Sequence, residues 1–437
     1  MMRPDSLRRA ASLRANASAK LRAEGASGLV RRVVRRIYQR LDAGALDFGL
    51  QPEDVADSAS LDLQAPATVP ASRPLRIGWL CTPPGVGSGG HTTMFRMVRA
   101  LQDAGHVCEV VLYDRHNGSL AEAAANIARG WPHMSVGVRS VQQGFDDLDV
   151  VVATGWETAH VLASRGRDRI HRAYFVQDYE PLFYPHGSEY ALAADTYHFG
   201  FANIALGRMV HDQLTAAGAP SVEVLFGRDT STYSYENSGA RSGVAFYARP
   251  PVARRGYRLA TLALAEFHRR RPDQEIHVYG ATVRDLGFPV VQHGRPSPGE
   301  LNQLYNQCAA GLAMSFTNIS LVAYEMLAAG CIPVVNDSPD ARADFRSPHA
   351  VWSAATPSAL ASALELAVSR ATPQTARQAA MDTLGGSWEI TGAQVVAAIE
   401  ALTAGTLDVG AVLPLADPAA LSTKVTAPGA QGAFLCT

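Results

Sequence analysis

The sequence predicts an α/β protein made of two doubly wound units in series, behind a basic helical extension. Two series of short apolar runs carry that expectation, one from Leu75 and one from Val244. In each, a strand-length run is followed by a helix-length stretch and a glycine or proline stop, the pattern of a mostly parallel sheet with helices on both faces. The third observation is a break in composition. A stretch rich in Pro, Ala, Ser and Asp (51–74) ends where LRIGWLC (75–81) begins.

Taken in order, residues 1–72 form an extension and linker. Ser6 to Arg22 and Leu29 to Leu41 have helical character. In the second of these Val30, Val33, Val34, Ile37 and Leu41 recur at i, i+3, i+4, with Arg31, Arg32, Arg35, Arg36 and Arg40 on the other faces. Residues 73–232 make the first unit. Its strands are LRIGWLC, HVCEVVLYD, DVVVATG, RAYFVQD, NIALG and SVEVLFG, with helices at Thr92 to Ala104 and around TAHVLASRG. Residues 233–387 make the second, with strands GVAFYAR, EIHVYGA, AAGLAMS and IPVVND. The helices between them are GYRLATLALAEFHRRRP, PGELNQLYNQC and ISLVAYEMLAAG. A closing helix from Trp388 to Leu402 and a tail fill 388–437.

The net charge of -1 conceals a polarity: eleven Lys and Arg against two acids in the first forty residues leave +9 there and an acidic remainder. Five cysteines, odd in number and without a CxxC, argue against a disulfide framework or a zinc site. No stretch approaches 18 apolar residues without charge, and the N-terminus lacks the apolar core of a signal peptide. The expectation is therefore a cytoplasmic protein, with a basic arm at 29–41 suited to an anionic membrane surface, to a partner, or to the protein's own body. Nucleic acid fits poorly, because the arm has almost no aromatic residues for stacking.

Ligands of parallel sheets collect at the carboxyl ends of strands, and the candidate residues sit there. PPGVGSGGHTT (83–93) offers Gly89 and Gly90 for close backbone approach, with His91 beside them. FYARPPVARRG (246–256) places Arg249, Arg254 and Arg255 where guanidinium forks can grip a diphosphate; a solvated basic turn is the plainer alternative. SFTNISLVAYEMLAAGCIPVV (315–335) runs from a polar loop, Thr317, Asn318 and Ser320, into an apolar helix that carries Glu325. A carboxylate in that setting needs ligand hydroxyls or an ion-pair partner. VQDYEPLFYP (176–185) groups Gln177, Asp178, Tyr179 and Glu180, a polar–aromatic set suited to carbohydrate or to capping. TGWETAH (154–160) adds Trp156 and Glu157.

On these residues the chain resembles a GT-B glycosyltransferase of family GT4, and within it the WsaF-type rhamnosyltransferases. The cues are SGGHTTMFRMVRAL, TGWETA, FVQDYEPLFYP, FYARP and SLVAYEMLAAG, over residues 75 to about 400. The resemblance implies two Rossmann-like domains facing a central cleft, acceptor in the first and nucleotide-sugar donor in the second. It implies a retaining transfer, with dTDP-L-rhamnose as donor and a glycan or lipid-linked glycan as acceptor, and with no cofactor or metal. Glu325 matches the second glutamate of the EX7E signature, a ribose contact, while Thr317 stands where the first would be. Donor contacts are expected at Gly89, Gly90, Arg249, Arg254, Arg255, Thr317, Asn318, Ser320, Leu321 and Glu325. Acceptor contacts are expected at His91, Trp156, Glu157, Gln177, Tyr179 and Glu180. The reacting centre is expected at Asp178, Arg249 and Arg254. A UDP- or GDP-linked donor, and a non-catalytic protein that keeps the ligand site, are the alternatives. A phosphorylase is disfavoured because the only lysines, Lys20 and Lys424, lie outside the second domain.

Overall fold

The computed structural model describes residues 30–408, except 39, 42–47, 71–72, 167–168, 230, 320 and 384–385. Ser320, the stretch Ser6 to Arg22 and the tail beyond 408 therefore lie outside the described residues. The chain divides into two compact units, Met1–Pro52 and Glu53–Thr437. In the smaller one, residues 30–38 and 40 are helical, and the apolar stripe from Val30 to Leu41 is exposed together with its arginines. No helix among the described residues is long and apolar enough to cross a membrane.

The larger unit holds two parallel sheets. The strands of the first are β1 (Arg76–Cys81), β2 (Val107–Leu112), β3 (Gly137–Ser140), β4 (Val150–Ala153), β5 (His171–Val176), β6 (Ala202–Leu206) and β7 (Ser221–Val224). They lie in the order β3-β2-β1-β4-β5-β6-β7. The second sheet has β8 (Val244–Tyr247), β9 (Ile276–Tyr279), β10 (Val291–Gly294), β11 (Ala310–Leu312), β12 (Ile332–Asn336) and β13 (Val351–Ser353), in the order β10-β9-β8-β11-β12-β13. Central strands are largely apolar because both faces are covered: β4 is apolar and buried throughout, and β5 is buried at every position, His171 and Arg172 included. Each sheet reverses its winding once, between β1 and β4 and between β8 and β11. These reversals open the crevices where the sequence candidates fall.

Three strands, β3, β10 and β13, have no counterpart in the sequence reading. All are sheet edges, and β3 and β10 are largely solvent-facing. These two carry no apolar run to betray them, and β13 (VWS) is only three residues long. The helix Trp388–Ala404 leaves the second domain and packs Val395, Ala398 and Ile399 into the core of the first. Its approach to the helix Gly89–Asp103 is close enough that a Cβ on Gly392 would lie 2.7 Å from Ala100. Residues 53–70, read from sequence as linker, belong to the larger unit and are fastened to the first domain. Asp54, fully buried, accepts from Arg165 Nε (2.5 Å) and Tyr113 OH (2.8 Å), and Ser58 bonds Asp195.

Candidate donor and acceptor site

The crevice of the first sheet opens after β1 and β4. Ser88 caps the helix Gly89–Asp103, and His91 spends both ring nitrogens on the turn, Nδ1 on Ser88 Oγ (2.8 Å) and Nε2 on the Thr82 carbonyl (3.2 Å). Burial holds the imidazole below its usual range, so it is neutral at pH 7. His91, expected at the acceptor, thus shapes the glycine loop. Gly90 brings that loop to Gln177, whose Oε1 lies 3.7 Å from where a Cβ on Gly90 would stand.

After β4, Trp156 is buried, and its indole donates to Tyr184 OH (2.9 Å). Tyr179 is buried in a stack with Tyr197. Both rings are thus covered by protein neighbours. Their neighbours Glu157 and Glu180 meet over Gly155: a Cβ there would lie 3.4 Å from Glu157 Oε2 and 3.8 Å from Glu180 Oε1. Glu180 Oε2 accepts from Trp156 N (2.6 Å) and Tyr174 OH (3.0 Å). Burial, and then Glu157, push the Glu180 carboxyl up to about 8; burial raises Glu157 as well. The crest of the first sheet therefore presents paired carboxyls that hold a proton at neutral pH.

The crevice of the second sheet carries the opposite charge. Arg249, just past β8, donates to Tyr247 OH (2.9 Å). Arg255 turns inward, Nη1 donating to Ser315 Oγ (2.9 Å) at the end of β11. Burial lowers its guanidinium to about 10; Asp178 opposes that shift, and Arg254 and Arg249 add to it. Arg254 and Arg249 are thus both near enough to oppose the charge on Arg255. The loop after β11 reaches the first domain: Thr317 Oγ1 donates to Asp178 Oδ2 (2.8 Å), Asn318 N to Asp178 Oδ1 (3.3 Å) and Asn318 Nδ2 to the Gln177 carbonyl (3.0 Å). Arg254 Nε lies 3.6 Å from Asp178 Oδ2, and its guanidinium covers the Phe183 ring at 4.0 Å.

Glu325 lies in the following helix, Leu321–Ala328, and lines a cavity of about 340 Å³ with Asp229, Tyr233, Leu321 and Tyr324. Burial, and then Asp229, push its carboxyl up to about 8 against the pull of Arg96 and Tyr233. Arg96 and Asp229 were missed in the sequence, though Arg96 interrupts an apolar helical run, Met94-Phe95-Arg96-Met97-Val98, which is a readable signal. A second seam between the domains was also missed. Asp344 accepts from Arg208 N (2.5 Å) and Met209 N (3.2 Å), at the end of β6.

The site therefore has a carboxylate-rich wall, an arginine-rich wall and a nearby cavity holding Glu325. Profiles described as WsaF, N-terminal domain, and WsaF, C-terminal domain, match residues 142–208 and 242–365. Together the two matches cover 191 of the 437 residues. The first match spans the β4 and β5 crest, and the second spans all three arginines and Glu325. The O-antigen biosynthesis protein RfbC of Myxococcus xanthus is 29% identical over 333 residues, 71% of this chain and 25% of RfbC. This chain thus spans about a quarter of that relative's length. The fold is GT-B. Anabaena HepE, solved with UDP, superposes at TM-score 0.59 with 15% identity over 75% of this chain and 100% of that one. WaaG, a glycosyltransferase involved in lipopolysaccharide biosynthesis, superposes at 0.52 with 13% identity over 73% and 98%.

Proposed function

We propose that this chain is a retaining glycosyltransferase of the GT4 kind. In this reading the second domain holds a nucleotide sugar, and the first presents a glycan hydroxyl for cell-surface polysaccharide or glycoprotein glycan synthesis. One observation carries it: Arg249 stands just past β8, Arg255 turns inward to Ser315 after β11, and Arg254 lies 3.6 Å from Asp178, so three guanidiniums gather at the winding reversal of the second sheet around one carboxylate. Such excess positive charge in a crevice calls for a polyanion, and a diphosphate takes guanidinium forks well. As the bond to the departing diphosphate breaks, negative charge grows on its oxygens, and the arginines stabilise that charge without a metal ion. Glu325, carrying a proton at pH 7, would bond the ribose hydroxyls. Thr317, Asn318 and Leu321, with Ser320, would line the sugar and phosphate. Glu157, Glu180 and Gln177 would take the acceptor.

The WsaF likeness supports L-rhamnose, carried on dTDP, as the sugar. The exposed basic helix supports peripheral contact with an anionic membrane, where a lipid-linked acceptor would be found. A donor screen tests the reading. Thermal shift and hydrolysis are measured with dTDP-rhamnose, UDP-glucose, GDP-mannose and UDP-N-acetylglucosamine, and dTDP-rhamnose is expected to lead on both. Preference for another donor removes the rhamnosyl assignment; no response to any donor removes the transferase reading.

A further inference from the structure

Asp178 stands at the end of β5 in the first domain, yet most of its partners belong to the second. Besides Tyr179 N (3.0 Å), it accepts from Thr317 Oγ1 and Asn318 N and faces Arg254 and Arg255. Two polar atoms around it are buried without a hydrogen-bond partner, Arg254 Nε and Asn318 Oδ1. At 3.6 Å the Arg254–Asp178 pair is too long for a hydrogen bond. The cluster therefore has more positive charge than one carboxylate neutralises, and a guanidinium N–H still lacking an acceptor. A phosphate oxygen would satisfy both.

We infer that Asp178 is a positioning residue, the resident counter-ion of the donor-phosphate arginines. It holds Arg254 and the Thr317–Asn318 loop across the cleft until a nucleoside diphosphate displaces it. The inference rests on the donor-site reading above. It makes Asp178 and the diphosphate competitors for the same cations, so donor binding releases a carboxylate at the end of β5, toward the sugar being transferred. A purely structural aspartate would have the opposite signature: its loss would loosen the loop and weaken nucleotide binding.

Calorimetric titration of UDP and dTDP into three proteins separates the two. Asp178→Asn removes the competing charge, and is expected to bind the nucleotide about three-fold or more tighter than wild type while sugar transfer slows. Thr317→Val keeps the charge but takes away a hydrogen bond, leaving the carboxylate more dependent on the arginines; it is expected to bind about three-fold or more weaker. Unchanged or weaker binding by Asp178→Asn overturns the inference and leaves the donor site standing. Should that variant not fold, unchanged or tighter binding by Thr317→Val overturns it. A wild-type protein that binds neither nucleotide removes the donor site, and the inference with it.

Discussion

The two crevices of the larger unit are built alike and charged oppositely. Each opens where a parallel sheet reverses its winding, between β1 and β4 in one and between β8 and β11 in the other. The first is dressed with Glu157, Asp178 and Glu180, the second with Arg249, Arg254 and Arg255. Architecture alone thus does not assign the ligands; side chains at the strand ends do. Paired carboxyls sharing a proton suit neutral hydroxyls, whereas clustered guanidiniums suit a diphosphate. The proposed division of labour between donor and acceptor rests on that contrast.

The largest effect should come from the basic wall. Arg254→Ala is expected to lower kcat/KM for the donor by about 100-fold, the scale for losing one preorganised donor to transition-state charge. Steady-state donor kinetics check it, and a loss confined to acceptor KM would reverse the assignment of the two walls. On the acidic wall, Glu157→Gln should raise acceptor KM by about ten-fold. Donor hydrolysis without acceptor should stay near wild type; equal losses in both assays would place Glu157 on the donor side or in the framework.

Glu325 lies in the neighbouring cavity, and its effect is read through pH. In the folded protein its carboxyl is held up to about 8 against an ordinary 4.5, chiefly by burial. The folded state therefore keeps a proton that the unfolded chain releases. The associated stability is fully present below 4.5 and is lost as pH rises through about 8. Glu325→Gln should flatten the fall of Tm between about pH 5 and about pH 9, without abolishing it, because Glu180 titrates in the same sense. An unaltered Tm slope would mean that Glu325 is ionised throughout. The smallest effect concerns the basic helix. Ile37→Glu with Leu41→Glu should abolish cosedimentation with phosphatidylglycerol vesicles and leave the Tm of the larger unit unchanged. Retained vesicle binding would show that the apolar stripe is not the contact.

Much of this contrast is legible in the sequence. Runs such as DVVVATG and RAYFVQD announce central strands because both faces are buried, and the arginines after FYARP stand at a strand end by local order alone. The edge strands β3 and β10 stay hidden, since they carry no apolar run, whereas the buried edge strand β7 is readable as SVEVLFG. What sequence cannot show is partnership across distance. Asp178 meets Thr317 from 139 positions away, and Arg96 comes near Glu325 only because the two domains close on each other. The same limit explains His91 and Trp156. Both look available in a strand-end motif, and both are occupied by Ser88, Thr82 and Tyr184 once the turn folds.

The central claim is that the basic crevice of the second sheet is a diphosphate site, and calorimetry of dTDP against thymidine tests it most directly. The account predicts that dTDP binds about 100-fold or more tightly than thymidine, and that Arg254→Ala erases most of the difference. Equal affinity for the two, or a dTDP preference untouched by Arg254→Ala, would contradict it.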